Sequence, residues 1–429
     1  MVLPLAFQSF MSAAVSASDA VMLGFLEQEA LSAVSLAGQV TFVLNLCITV
    51  LVQGTTMLAA QYWGKGEKTT VEKILGLSLR YVTVVTTLFL GAALLCPQLL
   101  MRVFTNEAAL IERGASYLQV AGLSYLPLGI SQIYLCIMKN SGKTAKSTVI
   151  GSSAMLLNIG LNALFIFVFR MGIQGAALAT VLAMCLQLTW TVRQSFQKDS
   201  IKIRLPFLLR TDKTLKKDFI HYTLPIVGNY FFWGGGVTIF SSIIGHLGSD
   251  AVAAYSVAGI LRNLSTCVAQ GVGTAGAILV GNELGRNEIE QAKFYAKRVT
   301  WLSAGFGVCS GALLLSLRPV LLNLVALSPA ANGYLSGMLL VCSYYVIASQ
   351  INSTVIGGIF CAGGKSRFGC ICDGVVLWGI ITPLALLAAF YWQLPVLVVY
   401  VVLNLDECIK VPVVLWYYRK YTWAQNLTR

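Results

Sequence analysis

Twelve apolar stretches, each long enough to cross a bilayer, follow one another along this chain. They run near residues 3–25, 34–59, 76–100, 115–138, 148–169, 172–193, 222–247, 252–281, 299–321, 335–361, 368–391 and 394–417. A helix crosses the hydrocarbon core in about 20 residues. In lipid every backbone polar group needs a partner within its own segment, which leaves helix as the solution for isolated apolar runs. The expected fold is an all-α membrane protein with twelve transmembrane helices. Charged residues make up only 11% of the 429 positions, too few to cover a soluble protein of this size. A disordered chain is excluded by the 10% of aromatic residues.

The net charge of +13 follows the apolar runs and does not gather in a nucleic-acid patch. With the N-terminus inside, 25 of the 30 Lys and Arg fall in cytoplasmic segments and four in outer ones. This bias predicts a multi-pass protein with both termini in the cytoplasm. The start, Met1-Val2-Leu3-Pro4, lacks the basic region of a signal peptide, so the first apolar stretch is expected to be a retained helix. The eleven cysteines lie mostly within apolar runs, and no CxxC pair marks a metal site.

The two halves repeat. A slide of 221 residues puts Leu3-Pro4 on Leu224-Pro225 and matches ten of 36 positions without a gap. The loop Gly64-Lys65-Gly66-Glu67 falls on Gly285-Arg286-Asn287-Glu288. Each half holds an even number of spans, so the repeats are parallel and related by an axis along the membrane normal. The expected division is an N-lobe over 1–195, a basic cytoplasmic linker over 196–221 and a C-lobe over 222–429.

Polar residues that break the repeat need a reason other than the fold. Asp19, in the first span, maps to Phe240. A carboxylate at membrane depth costs about 2.5–3.5 kcal/mol even on the lenient insertion scale. Asn158 and Asn162, four apart and so on one helix face, map to Ile380 and Leu384. Asp19, Asn162 and Thr180 each lie eight residues from the outer end of their span, with Glu27, Arg170 and Gly172 as markers. At a rise of 1.5 Å per residue, they share a level roughly 12 Å below one face. A carboxylate, two amides and a hydroxyl are hard oxygen ligands suited to Na⁺, and the carboxylate alone can carry a proton. The plainer reading is an interhelical hydrogen-bond cluster. The functional reading ranks above it because ionisable groups at membrane depth serve function by default.

Other candidates sit in the second half. Asp406 and Glu407 precede Lys410 by about one turn, which fits either an intrahelical ion pair or a charge site facing a cavity. Arg262, in the eighth span, is expected to pair with Asp406, Glu407 or Asp373, and Asp373 to anchor at the interface. Trp233 and Tyr230 offer aromatic faces to a cationic substrate. Ser141-Gly-Lys-Thr144 and Gly363-Gly-Lys-Ser366 lack the earlier glycine of a phosphate-binding loop, so they read as positively charged turns.

With these residues in place, the chain resembles the MATE (multidrug and toxic compound extrusion) family of bacterial type. The resemblance rests on Asp19-Ala-Val-Met-Leu-Gly24, the loops at Gln61-Tyr-Trp-Gly64 and Gly281-Asn-Glu-Leu-Gly285, and Asn158-x-x-x-Asn162. Gly175-Ala-Ala-Leu-Ala-Thr180, Gly364-Lys-Ser-Arg-Phe368 and the tail from Asn404 to Thr428 complete it. The resemblance implies two six-helix lobes in a V that export organic cations against Na⁺ or H⁺, with no other cofactor. It implies a cation site at Asp19, Asn158, Asn162 and Thr180. Where some members carry a Glu in the seventh span, this chain has Asn229 and Trp233, which makes both C-lobe or substrate candidates. The expectation is a monomeric multidrug antiporter in the bacterial inner membrane, working by alternating access. The alternatives are a lipid-linked-precursor flippase, which wants several cavity cations, and a lipid-modifying enzyme, which wants an acidic metal pair or a His cluster.

Overall fold

The computed structural model describes residues 2–24, 28–209, 212–324 and 327–428. Glu27, Arg210 and Arg429, used above as markers or in the charge count, lie outside them. The described chain is helical throughout, without strands. In order the helices are α1 (Val2–Gly24), α2 (Gln28–Gly64), α3 (Lys68–Leu95), α4 (Pro97–Arg102), α5 (Ala108–Ala121) and α6 (Tyr125–Asn140). Next come α7 (Thr144–Ala163), α8 (Gly172–Ser195), α9 (Leu205–Leu209), α10 (Lys213–His246), α11 (Ser249–Gly285) and α12 (Ile289–Leu324). The last five are α13 (Pro329–Asn352), α14 (Ser366–Asp373), α15 (Thr382–Leu386), α16 (Val396–Leu403) and α17 (Leu405–Arg419). Wider π-helical turns interrupt the later spans at Leu164–Val168, Ser353–Phe360, Gly374–Ile381 and Leu387–Tyr391. Among the described residues nine helical stretches are long and apolar enough to cross a membrane, with a shorter apolar run at Val2–Val15. Each of the twelve predicted segments overlaps helix.

The repeat is written in the backbone. Six of the nine left-handed φ values among the described residues fall at matching places: Gly66 (+87°) with Asn287 (+64°), Gly142 (+81°) with Gly364 (+78°), and Arg170 (+53°) with Gln393 (+48°). Each pair turns the chain between corresponding spans. Glycine adopts this conformation freely and asparagine tolerates it, which accounts for Gly-Lys-Gly-Glu being matched by Gly-Arg-Asn-Glu.

The chain packs as two compact units. One is Phe10–Ile220, and the other is Val2–Ser9 with His221–Arg429. The boundary between Ile220 and His221 falls beside the start of the expected C-lobe at 222, with the expected linker 196–221 packed almost wholly in the first unit and Val2–Ser9 in the second. The start of α1 belongs to the second unit because Leu5 packs on Ala275 and Ile278 of α11. A Cβ at Gly271 would meet the Ala6 backbone at 2.6 Å. The basic linker belongs to the first unit. Ile201 O accepts the Tyr134 hydroxyl at 2.9 Å, and the buried Glu72 carboxylate holds Arg204 Nε at 2.6 Å.

Lipid tails give no hydrophobic reason for helices to associate, so small residues set the packing. In the second unit a Cβ at Gly358 would meet Gly273 O at 2.6 Å, and one at Gly311 would meet Ser343 O at 2.5 Å. These contacts let α11, α12, α13 and the π-turn after α13 approach backbone to backbone. The tail docks beside them. Trp423 is fully buried, donates Nε1–H to Tyr418 O at 3.0 Å, and lies against Gly363.

Candidate functional site

In the first unit three helices bring the four predicted residues into one bonded chain. Asp19 comes from α1, Asn158 and Asn162 from α7, and Thr180 from α8. The i,i+4 spacing stacks the two amides on one face of α7. Asn162 Nδ2 donates to Asp19 Oδ1 at 2.7 Å and to Asn158 Oδ1 at 3.3 Å. Asn158 Nδ2 donates to Thr180 Oγ1 at 3.3 Å, and Thr180 donates to Ala176 O at 3.1 Å. Both asparagines are buried. One atom stands apart: Asn162 Oδ1 is buried without a hydrogen-bond partner. Such an orphan acceptor costs about 1–3 kcal/mol unless something donates to it or is coordinated by it. The cluster thus gathers carboxylate and amide oxygens from Asp19, Asn162 and Asn158, with one carboxylate among them. That donor set suits a monovalent hard cation, and the carboxylate alone suits a proton. Tyr117 of α5 also lies within the field of the Asp19 carboxylate.

A family model described as MatE matches residues 4–164 and, a second time, residues 225–387, more than half of the chain. This chain belongs to the MatE family. Its two matches start 221 residues apart, the offset at which Leu3-Pro4 meets Leu224-Pro225. The family is one of membrane transporters, and the chain is an integral membrane protein. The probable multidrug resistance protein NorM of Thermotoga maritima is 23% identical over 96% of this chain and 90% of its own length. The multidrug resistance protein PmpM of Pseudomonas aeruginosa is 22% identical over 89% of this chain and 81% of its own. A MOP superfamily transporter from Pyrococcus furiosus superposes with a TM-score of 0.90 at 18% identity, covering 99% of this chain and 96% of that one. An outward-facing multidrug resistance MATE family transporter gives 0.90 at 17% identity, with the same coverage. These superpositions show the all-helical fold.

The second unit of the MatE chain holds a different polar set. Lys410 of α17 points its ammonium at three carboxylates: Asp373 at 3.1 Å, Asp406 at 3.5 Å and Glu407 at 2.8 Å. All four residues are buried. Asn229 of α10 donates to Asp373 Oδ2 at 2.6 Å, and Asn352 of α13 donates to Glu407 Oε2 at 2.7 Å. The structure thus joins the predicted Asn229, Asp406 and Glu407, and it corrects three expectations. Asp373 is no interfacial anchor, because it is 7% exposed and bonded on both oxygens. Lys410, counted as a cytoplasmic charge, lies inside its span at 3% exposure. Arg262 joins none of the three acids through a salt bridge. Its guanidinium lies 5.3 Å over the Tyr345 ring, and Nη1 donates to Asn404 Oδ1 at 3.5 Å. Trp233 stands apart, edge-on to Tyr230 and 39% exposed.

Two of these residues were missed from sequence, Asn352 as a partner and Asp373 as a core charge. A signal existed. With a slide of 222, Asp373 falls on Gly151, Asp406 on Met184, Glu407 on Cys185 and Lys410 on Leu188. The repeat is broken in both directions. Asn352 and Asp373 also immediately precede the π-turns at Ser353–Phe360 and Gly374–Ile381, which re-aim side chains at functional positions.

Proposed function

We propose that this MatE chain is a cation-coupled multidrug efflux antiporter that exports organic cations by alternating access. Asp19 is its obligatory ionisable group. Asn162 Oδ1, Asn158 Oδ1 and Thr180 Oγ1 complete a Na⁺ shell, with H⁺ competing at Asp19. The observation that carries this reading is the buried, unpartnered Asn162 Oδ1 beside the Asp19 carboxylate. A structural hydrogen-bond chain has no use for a missing partner, whereas a cation site needs one. The names of the NorM and PmpM relatives support the multidrug reading. The excess of Lys and Arg in alternate loops supports a bacterial inner-membrane location with both termini cytoplasmic.

Cation binding drives export only through its differential affinity for the two transport states. Entry of the ion from outside favours the outward state, where the drug leaves. The test is ethidium efflux in proteoliposomes, driven in turn by a Na⁺ gradient and by a pH gradient, with Asp19→Asn alongside. Loss of Na⁺-driven efflux in the variant is the expected result. Efflux indifferent to Asp19→Asn overturns the site. No efflux under either gradient favours the flippase reading.

A further inference from the structure

The buried set in the second unit is short of one positive charge. Asp373, Asp406 and Glu407 bring three negative charges, against one from Lys410 and one from Arg262 at its edge. The Tyr345 hydroxyl lies in the field of Arg262, Lys410, Asp406 and Glu407, which ties the two cations into one neighbourhood. Cys370 and Cys372 of α14 and Cys408 of α17 also face the set. An uncompensated charge in a membrane interior does not persist. The site takes up a cation or a carboxylate neutralises.

The hydrogen bonds say which oxygen. Asp373 Oδ1 and Glu407 Oε1 meet Lys410, Asp373 Oδ2 meets Asn229, and Glu407 Oε2 meets Asn352. Asp406 Oδ2 faces Lys410 at 3.5 Å, the longest of the three ammonium contacts. Asp406 Oδ1 has no partner, although its residue is only 5% exposed. Asn352 Oδ1 is likewise buried and unpartnered. The ammonium already occupies the point that a metal ion would take. Among the described residues no three acidic, His or Cys groups are arranged to hold a metal. A proton needs one oxygen and no shell.

We propose that the second unit carries its own proton-binding site, with the proton on Asp406 Oδ1 and exchanged with water during transport. Uptake converts the Asp406 carboxylate to the neutral acid and leaves three carboxylate-derived groups with two charges against two cations. This site is separate from the one at Asp19 and does not depend on it.

The test uses the full-length protein in lipid, and its first readout is the infrared carbonyl stretch of protonated carboxylic acids. The variants are Asp406→Asn, Glu407→Gln and Asp19→Asn. Because an amide mimics a neutral acid, Asp406→Asn is expected to keep the wild-type Tm. It is also expected to lose one acid band that Asp19→Asn and Glu407→Gln retain. Its pH-gradient-driven efflux is expected to fall at least tenfold while Na⁺-driven efflux persists. A band that survives Asp406→Asn overturns the proposal. So does a collapse of Tm in that variant, since it means that Lys410 needs an ionised Asp406. A lost band with unchanged pH-driven efflux overturns the exchange step. Loss of Na⁺-driven efflux in Asp19→Asn reads the first site alone.

Discussion

Asn162 turns its amide nitrogen to Asp19 Oδ1 at 2.7 Å and leaves its own carbonyl oxygen buried without a partner. On the proposed reading, the nitrogen fixes the carboxylate and the oxygen serves as a cation ligand. Replacing Asn162 with Ala removes both. The apparent Na⁺ affinity for driving efflux is expected to fall at least tenfold, about 1.4 kcal/mol, with folding retained. Half-saturation of ethidium efflux against external Na⁺ measures this.

Asn162→Asp makes a different change. A second carboxylate beside Asp19 raises the proton affinity of the pair, because two such neighbours do not both stay ionised. Na⁺-driven efflux is expected to drop, and pH-gradient-driven efflux to rise relative to it. A variant that keeps the wild-type ratio of the two contradicts this account of ion choice.

Thr180 enters through one hydroxyl, which accepts from Asn158 Nδ2 at 3.3 Å. Thr180→Val keeps the shape and removes the oxygen, while Thr180→Ser keeps the oxygen. Na⁺ affinity is expected to fall several-fold in the first, about 1 kcal/mol, and to stay near wild type in the second. Equal losses in both would point to packing.

Lys410 is the common partner of three buried acids. Lys410→Met leaves them facing one another, and breaking a buried ion pair costs about 3–5 kcal/mol. A large drop in Tm in detergent is expected, with partial recovery when Glu407→Gln is added. A Tm unmoved by Lys410→Met contradicts the charge balance drawn here.

Gly363 is a backbone test. A Cβ there runs into the Trp423 carbonyl, and Trp423 is fully buried against Tyr418. Gly363→Ala is expected to destabilise by about 1–3 kcal/mol and to expose the 420–428 tail to protease. Unchanged cleavage of the tail would show that this contact yields easily.

Much of this was legible because apolar length and repeat offset act along the chain. Nine helical stretches among the described residues answer to apolar runs long enough to span, and the 221-residue offset that matched Leu3-Pro4 reappears as paired left-handed turns at Gly66 and Asn287. The clustering of Asp19 with Asn158, Asn162 and Thr180 was legible because a repeat marks what it does not need, and counting rises put Asp19, Asn162 and Thr180 at one level. The second site was obscured for physical reasons. Lys410 reads as a loop charge until three acids bury it, and Asp373 reads as interfacial until Asn229 reaches it from another helix. Those contacts depend on helix rotation and on π-turns, and neither leaves a periodic trace. The seating of Val2–Ser9 on α11 was equally silent, since it rests on the absence of a side chain at Gly271.

The central claim is that Asp19 and its amide partners bind the coupling cation. Its most direct test is calorimetric titration of the purified protein with Na⁺ at two pH values, for wild type and Asp19→Asn. The predicted result is saturable Na⁺ binding that weakens as pH falls and disappears in the variant. Na⁺ binding of undiminished affinity in Asp19→Asn would contradict it.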